Sequence, residues 1–357
     1  MEKMEIREIE GRGRSFVSSK PIKAGEILLR ESPILIYSST LLSNFCSHCF
    51  TKLIDSSFII SCSVCSNHAL YCSSTCQTSS SHTPLLCNSL NALRNTPISS
   101  DLQLQAYFLI AAYNLSPDSF RLLMSLQGDS PITPDTQFLH SLISSFCSPS
   151  SLELTAALLA KDKLNAFGLM EPFRGDGKEM KVRGYAIYPK GSFFNHDCLP
   201  NACRFDYVDS GDPSSNTDII VRAIHDIPEG REICLSYFPV DWNYADRQKR
   251  LMEDYGFKCD CDRCIVEVNW CDGDDDDQEM GGSDQEEDND FPHAYFFVRY
   301  VCDKENCAGT LAPLPPPQPS NVMECNVCGC FKTEEEQEQE QAIDTDESED
   351  GIVIMDD

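Results

Sequence analysis

Cysteine placement constrains this chain more than any other feature. Twenty of its 357 residues are cysteine. Cys-x-x-Cys pairs stand at 46/49, 62/65, 261/264 and 325/328, where random scatter would give about one. Disulfide frameworks belong to small secreted chains, and this chain is long enough to bury a core without staples. Its opening, MEKMEIREIEGRGR, is charged and lacks the apolar core of an export signal. The strongest apolar run, YFLIAAYNL (107–115), has half the length of a membrane span. The expectation is an intracellular chain, off the membrane, whose cysteines hold zinc.

The cysteines fall into groups. Residues 46–87 offer Cys46, Cys49, Cys62, Cys65, Cys72, Cys76, His82 and Cys87, enough ligands for two tetrahedral ions. KCDCDRC (258–264) offers Cys259, Cys261 and Cys264, one short of a site, while NHDC (195–198) carries a cysteine with no near partner. Surplus and gap match. With Cys198 as fourth ligand, a closed structural site would clamp the C-terminal flank onto a distant strand. A redox dithiol at 261/264 is the competing reading, but it lacks the usual strand-to-helix setting. Cys302, Cys307, Cys325 and Cys328 bracket a proline-rich loop and suggest a fourth site of zinc-ribbon type, with Cys330 either replacing a ligand or idle. His48 and His68 are read as surface residues. Cys147, Cys203 and Cys234 are read as core packing, and Cys271 is left over.

Charge divides the chain further. The net charge is −29, but residues 272–290 and 334–357 together carry −23 with no base, which leaves −6 for the rest. Both runs read as solvated, disordered segments. A nucleic-acid surface would need the opposite sign, and the one basic stretch, DRQKR (246–250), reads as a helix face. Between the cysteine groups, residues 88–170 carry apolar residues at helical spacing, with Asp101 and Ser150 or Ser151 as caps. Strand patterns precede and follow. Ile22-x-x-Gly25-Glu26-Ile27 returns as Ile227-x-x-Gly230-Arg231-Glu232-Ile233, which suggests one sheet split by insertions. In EICLSY, period two places Tyr237 on the face of Ile233 and Leu235.

Taken in order, the Gly11-Arg12-Gly13 loop, the finger of residues 46–87, Asn195-His196-x-Cys198, a strand ending in Tyr237 and Cys259-x-Cys-x-x-Cys264 resemble a SET-and-MYND (SMYD-type) lysine methyltransferase across about residues 5–265. The resemblance implies an α+β fold. A β-rich SET domain of small sheets with a pseudo-knot would be split by a double-zinc MYND finger and a helical insert, and followed by a zinc-bound post-SET segment. The expected division is 1–45 and 176–240 for the SET domain, 46–87 for the finger, 88–175 for the insert and 241–271 for the post-SET segment. An acidic linker (272–290), a zinc ribbon (291–331) and an acidic tail (332–357) would follow. In that family the finger's sites interleave, which pairs Cys46, Cys49, Cys72 and Cys76 on one zinc and Cys62, Cys65, His82 and Cys87 on the other. The cofactor implied is S-adenosylmethionine, held by Arg12, Gly13, Arg14, Asn165, Asn195, His196, Tyr237, Tyr255 and Phe257, with Tyr237 the catalytic residue. The partners implied are a protein substrate lysine, on a histone tail or a non-histone protein, and a peptide bound by the finger. No direct nucleic-acid contact is expected, and the chain is expected to be a monomer acting in the nucleus and also the cytoplasm. The C-terminal helical repeats common in the family are missing from residues 266–357.

The chemistry can be argued without the resemblance. A lysine must lose its proton before its nitrogen attacks a sulfonium methyl, at a cost of about 4.6 kcal/mol at pH 7. A dry aromatic channel and a neighbouring positive charge both lower that lysine's pKa, so alignment is the main remaining task. A reading from another class is a catalytically silent adaptor, in which the finger binds partner peptides.

Overall fold

The structure is a computed structural model that describes residues 3–41, 44–54, 59–65, 69–147, 151–175, 177, 180–209, 215–270, 293–317 and 321–333. Strands β1 (Met4–Ile9) and β2 (Gly13–Ser18) form an antiparallel hairpin, followed by β3 (Ile27–Glu31) and β4 (Leu35–Ser38). The cysteine-rich segment adds only β5 (Ile60–Ser61), β6 (Leu70–Tyr71) and α1 (Ser74–Ser79). Five helices follow: α2 (Pro84–Arg94), α3 (Ser100–Tyr113), α4 (Pro117–Met124), α5 (Pro134–Ile143) and α6 (Leu152–Asn165). Then come β7 (Ala166–Met170), β8 (Val182–Ile187), β9 (Asn195–His196), β10 (Ala202–Phe205), β11 (Ile219–Ala223) and β12 (Cys234–Leu235). Helix α7 (Tyr244–Arg250) runs into a π-helical turn (Leu251–Tyr255) and α8 (Asp262–Glu267). Last come α9 (Ala294–Tyr300) and the sheet of β13 (Leu311–Pro313), β14 (Val322–Cys325) and β15 (Phe331–Thr333).

Local chemistry explains where the helices begin. Thr83, Ser99, Ser116, Thr133 and Ser151 each accept a backbone N–H three residues on, and three of these caps are followed by proline at the first helical position. The α3 cap is therefore Ser99. Asp101, expected to cap it, lies in the first turn instead, where its charge suits the helix dipole. Buried Leu93, Phe108, Leu109, Ala112, Leu139, Ile143 and Leu158 form one core with Leu35 and Tyr37 of β4. The helical pattern ends at Asn165. Residues 166–170, at the end of the segment read as helical, form β7 and pair with β8, so the insert hands the chain straight back to a β4–β8–β7 sheet.

The two related phrases meet. Ile22 and Ile227 exchange both backbone hydrogen bonds at 2.9 Å, and β3 pairs with β11 beside them. The sheets are small, as expected, with two or three strands each, and left-handed glycines at 25 and 230 sit at the turns between strands. The cysteine finger is fixed to β8. Arg183, 2% exposed, donates to the carbonyls of Phe50 at 2.6 Å and Met170 at 3.0 Å. The Asn216 amide donates to the Cys49 carbonyl at 2.7 Å. β15 reaches Thr333, two residues into the segment assigned to the acidic tail. The acidic runs 272–290 and 334–357, His68 and Cys271 lie outside the described residues. Among the described residues, no helix is long and apolar enough to cross a membrane.

A buried acid ties the insert to the β4–β8–β7 sheet. The Tyr37 hydroxyl of β4 donates to Asp162 of α6 at 2.6 Å. Burial holds the Asp162 carboxyl up at about 7, above the usual ~3.9. Between those values the folded chain binds more proton than the unfolded one, so this group's contribution to stability falls as pH rises and is flat above pH 7. Asp162→Asn, which keeps an acceptor for Tyr37, should gain stability relative to the parent between pH 5.5 and 7.5, by up to about 2 kcal/mol. Urea unfolding at both pH values checks this, and parallel pH profiles would contradict it.

Candidate active site

The β1–β2 turn is shaped by two glycines in left-handed backbone, Gly11 (φ 74°) and Gly13 (φ 73°). A side chain at 13 would press on the Gln127 amide at 3.2 Å as well as strain the backbone. Between them, Arg12 turns inward. Its guanidinium donates to the His196 carbonyl at 2.7 Å and pairs with Glu232 at 2.9 Å. The Asn195 amide in turn donates to the Arg12 carbonyl at 3.2 Å and to Glu232 at 2.9 Å. Arg12 thus locks the loop to β9 through its side chain. Arg14 leans over the Phe193 ring at 5.1 Å and donates to the Ser125 carbonyl at 2.8 Å.

The helical insert reaches the same loop. Asn165, the last residue of α6, donates to the carbonyls of Gln127 and Lys161, each at 2.8 Å. Buried Lys161 donates to the carbonyls of Leu126 at 2.7 Å and Gly128 at 3.2 Å. The 125–128 turn is therefore strapped from α6 and touched by Arg14 and Gly13. Sequence reasoning named Asn165 but missed Lys161, Gln127 and Gly128. The glycine at 128 was the one available signal: its φ is 136°, and a Cβ there would lie 2.8 Å from the Ala160 backbone.

On the opposite flank, β9 and β12 pair in parallel, Cys234 with Asn195 and Leu235 with His196. This strand is only two residues long, so Tyr237 lies beyond it and not within an extended EICLSY strand. The Tyr237 backbone N–H donates to His196 Nδ1 at 3.2 Å, and its hydroxyl donates to the Phe194 carbonyl at 3.2 Å. Burial pushes that hydroxyl above its ordinary pKa. Ring centroids run from His196 to Tyr237 (5.2 Å), Tyr237 to Tyr255 (4.8 Å) and Tyr255 to Phe257 (6.5 Å). The result is a half-buried aromatic wall whose open end is the exposed Phe257.

His196 is 2% exposed, and burial pushes its pKa down to about 3, so the ring is neutral. Because Nδ1 accepts from a peptide N–H, the proton sits on Nε2, which faces Cys198 Sγ at 3.3 Å. Such a donor suits a thiolate that ligates a metal. Cys198 lies 3.9 Å from Cys259 and 3.5 Å from Cys264. A tetrahedron with metal–sulfur bonds of ~2.3 Å has edges of about 3.8 Å. The ligand atoms of Cys198, Cys259, Cys261 and Cys264 all lie within 4.8 Å of one another. Gln248 donates to Cys264 Sγ at 3.2 Å and to the Cys259 carbonyl at 2.8 Å. Its neighbour Arg247, read from sequence as part of a solvated helix face, is fully buried and pairs with Glu267 at 2.5 Å. None of these three contacts was visible in sequence, since each joins residues more than ten positions apart.

The same geometry recurs in the finger. Cys46, Cys49, Cys72 and Cys76 gather in one group, and Cys62, Cys65, His82 and Cys87 in another. Pair distances are 3.6 Å for Cys49–Cys72, 3.5 Å for Cys72–Cys76, 3.8 Å for Cys62–Cys87 and 3.5 Å for Cys65–His82 Nε2. The donor sets and spacings fit zinc. Cys302, Cys307, Cys325 and Cys328 make a fourth group. Cys147, Cys203 and Cys234 are buried outside these groups, and no cysteine in the described residues is disulfide-bonded. A cavity of about 360 Å³ lies between finger and insert, lined among others by half-buried His48, His82, Arg94 and Tyr107. None of the residues assigned to the cofactor lines it.

The chain has relatives among known proteins. The family model described as SET domain matches residues 13–238. The histone-lysine N-methyltransferase ASHR2 of Arabidopsis thaliana is 51% identical over 387 residues, covering 93% of this chain and 96% of that protein. The N-lysine methyltransferase SMYD2 of Homo sapiens is 26% identical over 275 residues, covering 72% of this chain and 59% of that one. A solved structure of the SET domain of LSMT bound to lysine and AdoHcy aligns with TM-score 0.32 and 13% identity, over 72% of this chain and 53% of that chain. With most of its length matched by the family model and a relative of this identity spanning nearly all of it, the chain belongs to the SET-domain family.

Proposed function

We propose that the chain is an S-adenosylmethionine-dependent protein-lysine N-methyltransferase whose substrate lysine lies on a histone or a non-histone protein. The observation that carries this reading is the 51% identity, across nearly the full length of both chains, with a protein named as a histone-lysine N-methyltransferase. The site's chemistry supports it. A loop bare of side chains at Gly11 and Gly13 accepts from the Asn195 amide, meets Asn165 through Gln127, and is joined through Arg12 to His196, where the aromatic wall begins. Electron-rich ring faces and a peptide carbonyl suit a sulfonium. Backbone at Arg12, Gly13 and Arg14, the side chains of Asn165 and Asn195, His196, Tyr255 and Phe257 would hold the cofactor, which supplies an electrophilic methyl group when bound.

The chain's own residues then have two tasks. The aromatic wall of Tyr237, Tyr255 and Phe257 excludes water, which disfavours a charged ammonium and shifts the substrate amine toward its nucleophilic form. Tyr237 orients the amine. Its hydroxyl is fixed by the Phe194 carbonyl and stays protonated well above neutral pH, so it is a constant dipole in the channel. The closed four-ligand groups leave no position for water and are structural. The finger, with the cavity beside it, is the surface for a partner peptide. The chain acts as a monomer, without direct contact to nucleic acid.

Tyr237→Phe should lower kcat for histone or peptide methylation by about 100-fold or more, while calorimetric affinity for S-adenosylmethionine changes only a few-fold. Full-rate methylation by this variant would contradict the assignment. Asn195→Ala, which loosens the Arg12 loop, should weaken S-adenosylmethionine binding by about tenfold or more, with the melting profile retained. In the parent enzyme kcat/KM should rise with pH as the lysine deprotonates. Because burial raises the Tyr237 pKa, no descending limb should come from that residue below about pH 10. If a folded, zinc-loaded protein does not bind the cofactor, the adaptor reading takes its place.

A further inference from the structure

Residues 293–333 form a small unit whose role the SET domain does not supply. Helix α9 and strands β13–β15 surround Cys302, Cys307, Cys325, Cys328 and Cys330. Cys302 lies 3.8 Å from Cys328, and Cys307 lies 3.5 Å from Cys325. These match the tetrahedral edge of about 3.8 Å and are far too long for disulfides. The backbone is bent to bring the thiols together. Asn306 (φ 59°) and Ala308 (φ 50°) flank Cys307 in left-handed conformation, and Gly329 (φ 68°) follows Cys328. The peptide N–H groups of Val327 and Cys328 point at Cys325 Sγ at 3.4 and 3.5 Å. A Cβ at Gly309 would fall 2.4 Å from Cys325 Sγ, so this glycine is needed for the thiols to close on a common centre. Strained non-glycine residues on a surface turn need a compensating interaction, and four thiolates on one ion would supply it.

We propose that Cys302, Cys307, Cys325 and Cys328 hold a structural zinc ion that staples this C-terminal ribbon to the SET sheet. Cys330 is the spare thiol. It approaches Cys302 at 3.7 Å but stands outside the set of four whose sulfurs are all mutually close.

What the ion secures can be read from the contacts. Glu324, one residue before ligand Cys325, reaches into the SET sheet and pairs with Arg222 of β11 at 2.9 Å, the two side chains being 9% and 1% exposed. Arg222 also sits 3.5 Å over the Phe205 ring. Tyr207 donates to the same carboxylate at 2.9 Å. Asn326, between two of the ligands, donates to the Arg204 carbonyl at 2.9 Å. Leu311, Ala312 and Met323 pack with Cys203, Phe205, Ile220 and Ile224 in a shared core. At the edge, a Cβ on Gly25 would stand 2.5 Å from the Leu314 carbonyl. The carboxylate that balances a buried arginine is thus presented by a strand whose own end is fixed by the cysteines. Loss of the ion would release both.

The test uses the full chain, purified under reducing conditions. Native mass spectrometry counts bound zinc in the parent, in Cys307→Ser and in Cys330→Ser. The expected result is one zinc fewer in Cys307→Ser and an unchanged count in Cys330→Ser. Should Cys307→Ser fail to fold, brief iodoacetamide labelling of the parent with peptide mapping gives the answer. Cys302, Cys307, Cys325 and Cys328 should be protected until a zinc chelator is added, and Cys330 should label at least tenfold faster. Labelling of all five at equal rates without chelator, an equal zinc count in parent and Cys307→Ser, or iron in place of zinc would overturn the proposal.

Discussion

The arrangement of this molecule depends on one tetrahedron of sulfur atoms. Cys198 sits two residues after His196 of the Asn195-His196 pair that lies against the Gly-x-Gly loop, and its thiol meets three cysteines some sixty residues further along the chain. Bringing such distant segments together carries an entropic cost that grows with the intervening length. A closed metal site with four thiolate ligands offsets that cost in one step. Tyr255 and Phe257 lie just before Cys259; Tyr255 packs on Tyr237, and Phe257 packs on Tyr255. His196 links the two halves. One ring nitrogen accepts from Tyr237, and the other faces the Cys198 sulfur. The ring is one of several links, since Tyr237 and Tyr255 also pack directly against the cysteine group.

The second organising feature is the helical insert. It packs its own core, yet its last helix places Lys161 and Asn165 against the 125–128 turn, and that turn touches Gly13 and Arg14. The Gly-x-Gly loop is thus supported from three sides: by β9, by Glu232 and by the insert. The neutral hydrogen bonds among these contacts contribute about 1 kcal/mol net each, and the charged ones from Arg12 and Lys161 about 1.5–3 kcal/mol. Their value is in fixing one loop geometry for alignment, where small displacements are costly.

Much of this could be read from the sequence, for identifiable reasons. Cysteine pairs two residues apart are local patterns; how the finger's ligands divide into two sets was implied by the family resemblance, and the structure gathers all four groups. Cys198 was legible because three ligands imply a fourth. Helix caps were only partly legible: Ser99 and Asp101 are both good capping residues, and tertiary placement of the first turn decided for Ser99. Strands β9 and β12 are too short to show a period, so Tyr237 was read as part of a longer strand. Residues 166–170 follow a helix without any breaker, and only pairing with β8 makes them a strand. The Arg247 environment was hidden for the opposite reason. An arginine in a charged run reads as solvated, and its partner Glu267 is twenty positions away.

The central claim is that the Cys198 clamp holds the cofactor site together. The most direct measurement is calorimetric titration of S-adenosylmethionine into zinc-loaded parent and Cys198→Ser protein, with zinc counted in both samples. The account predicts saturable binding near one equivalent in the parent. In the variant it predicts one zinc fewer, an intact finger and binding weakened by at least tenfold. Equal affinity in a variant that has lost that zinc would show that the cofactor site does not depend on the clamp, and would contradict the account.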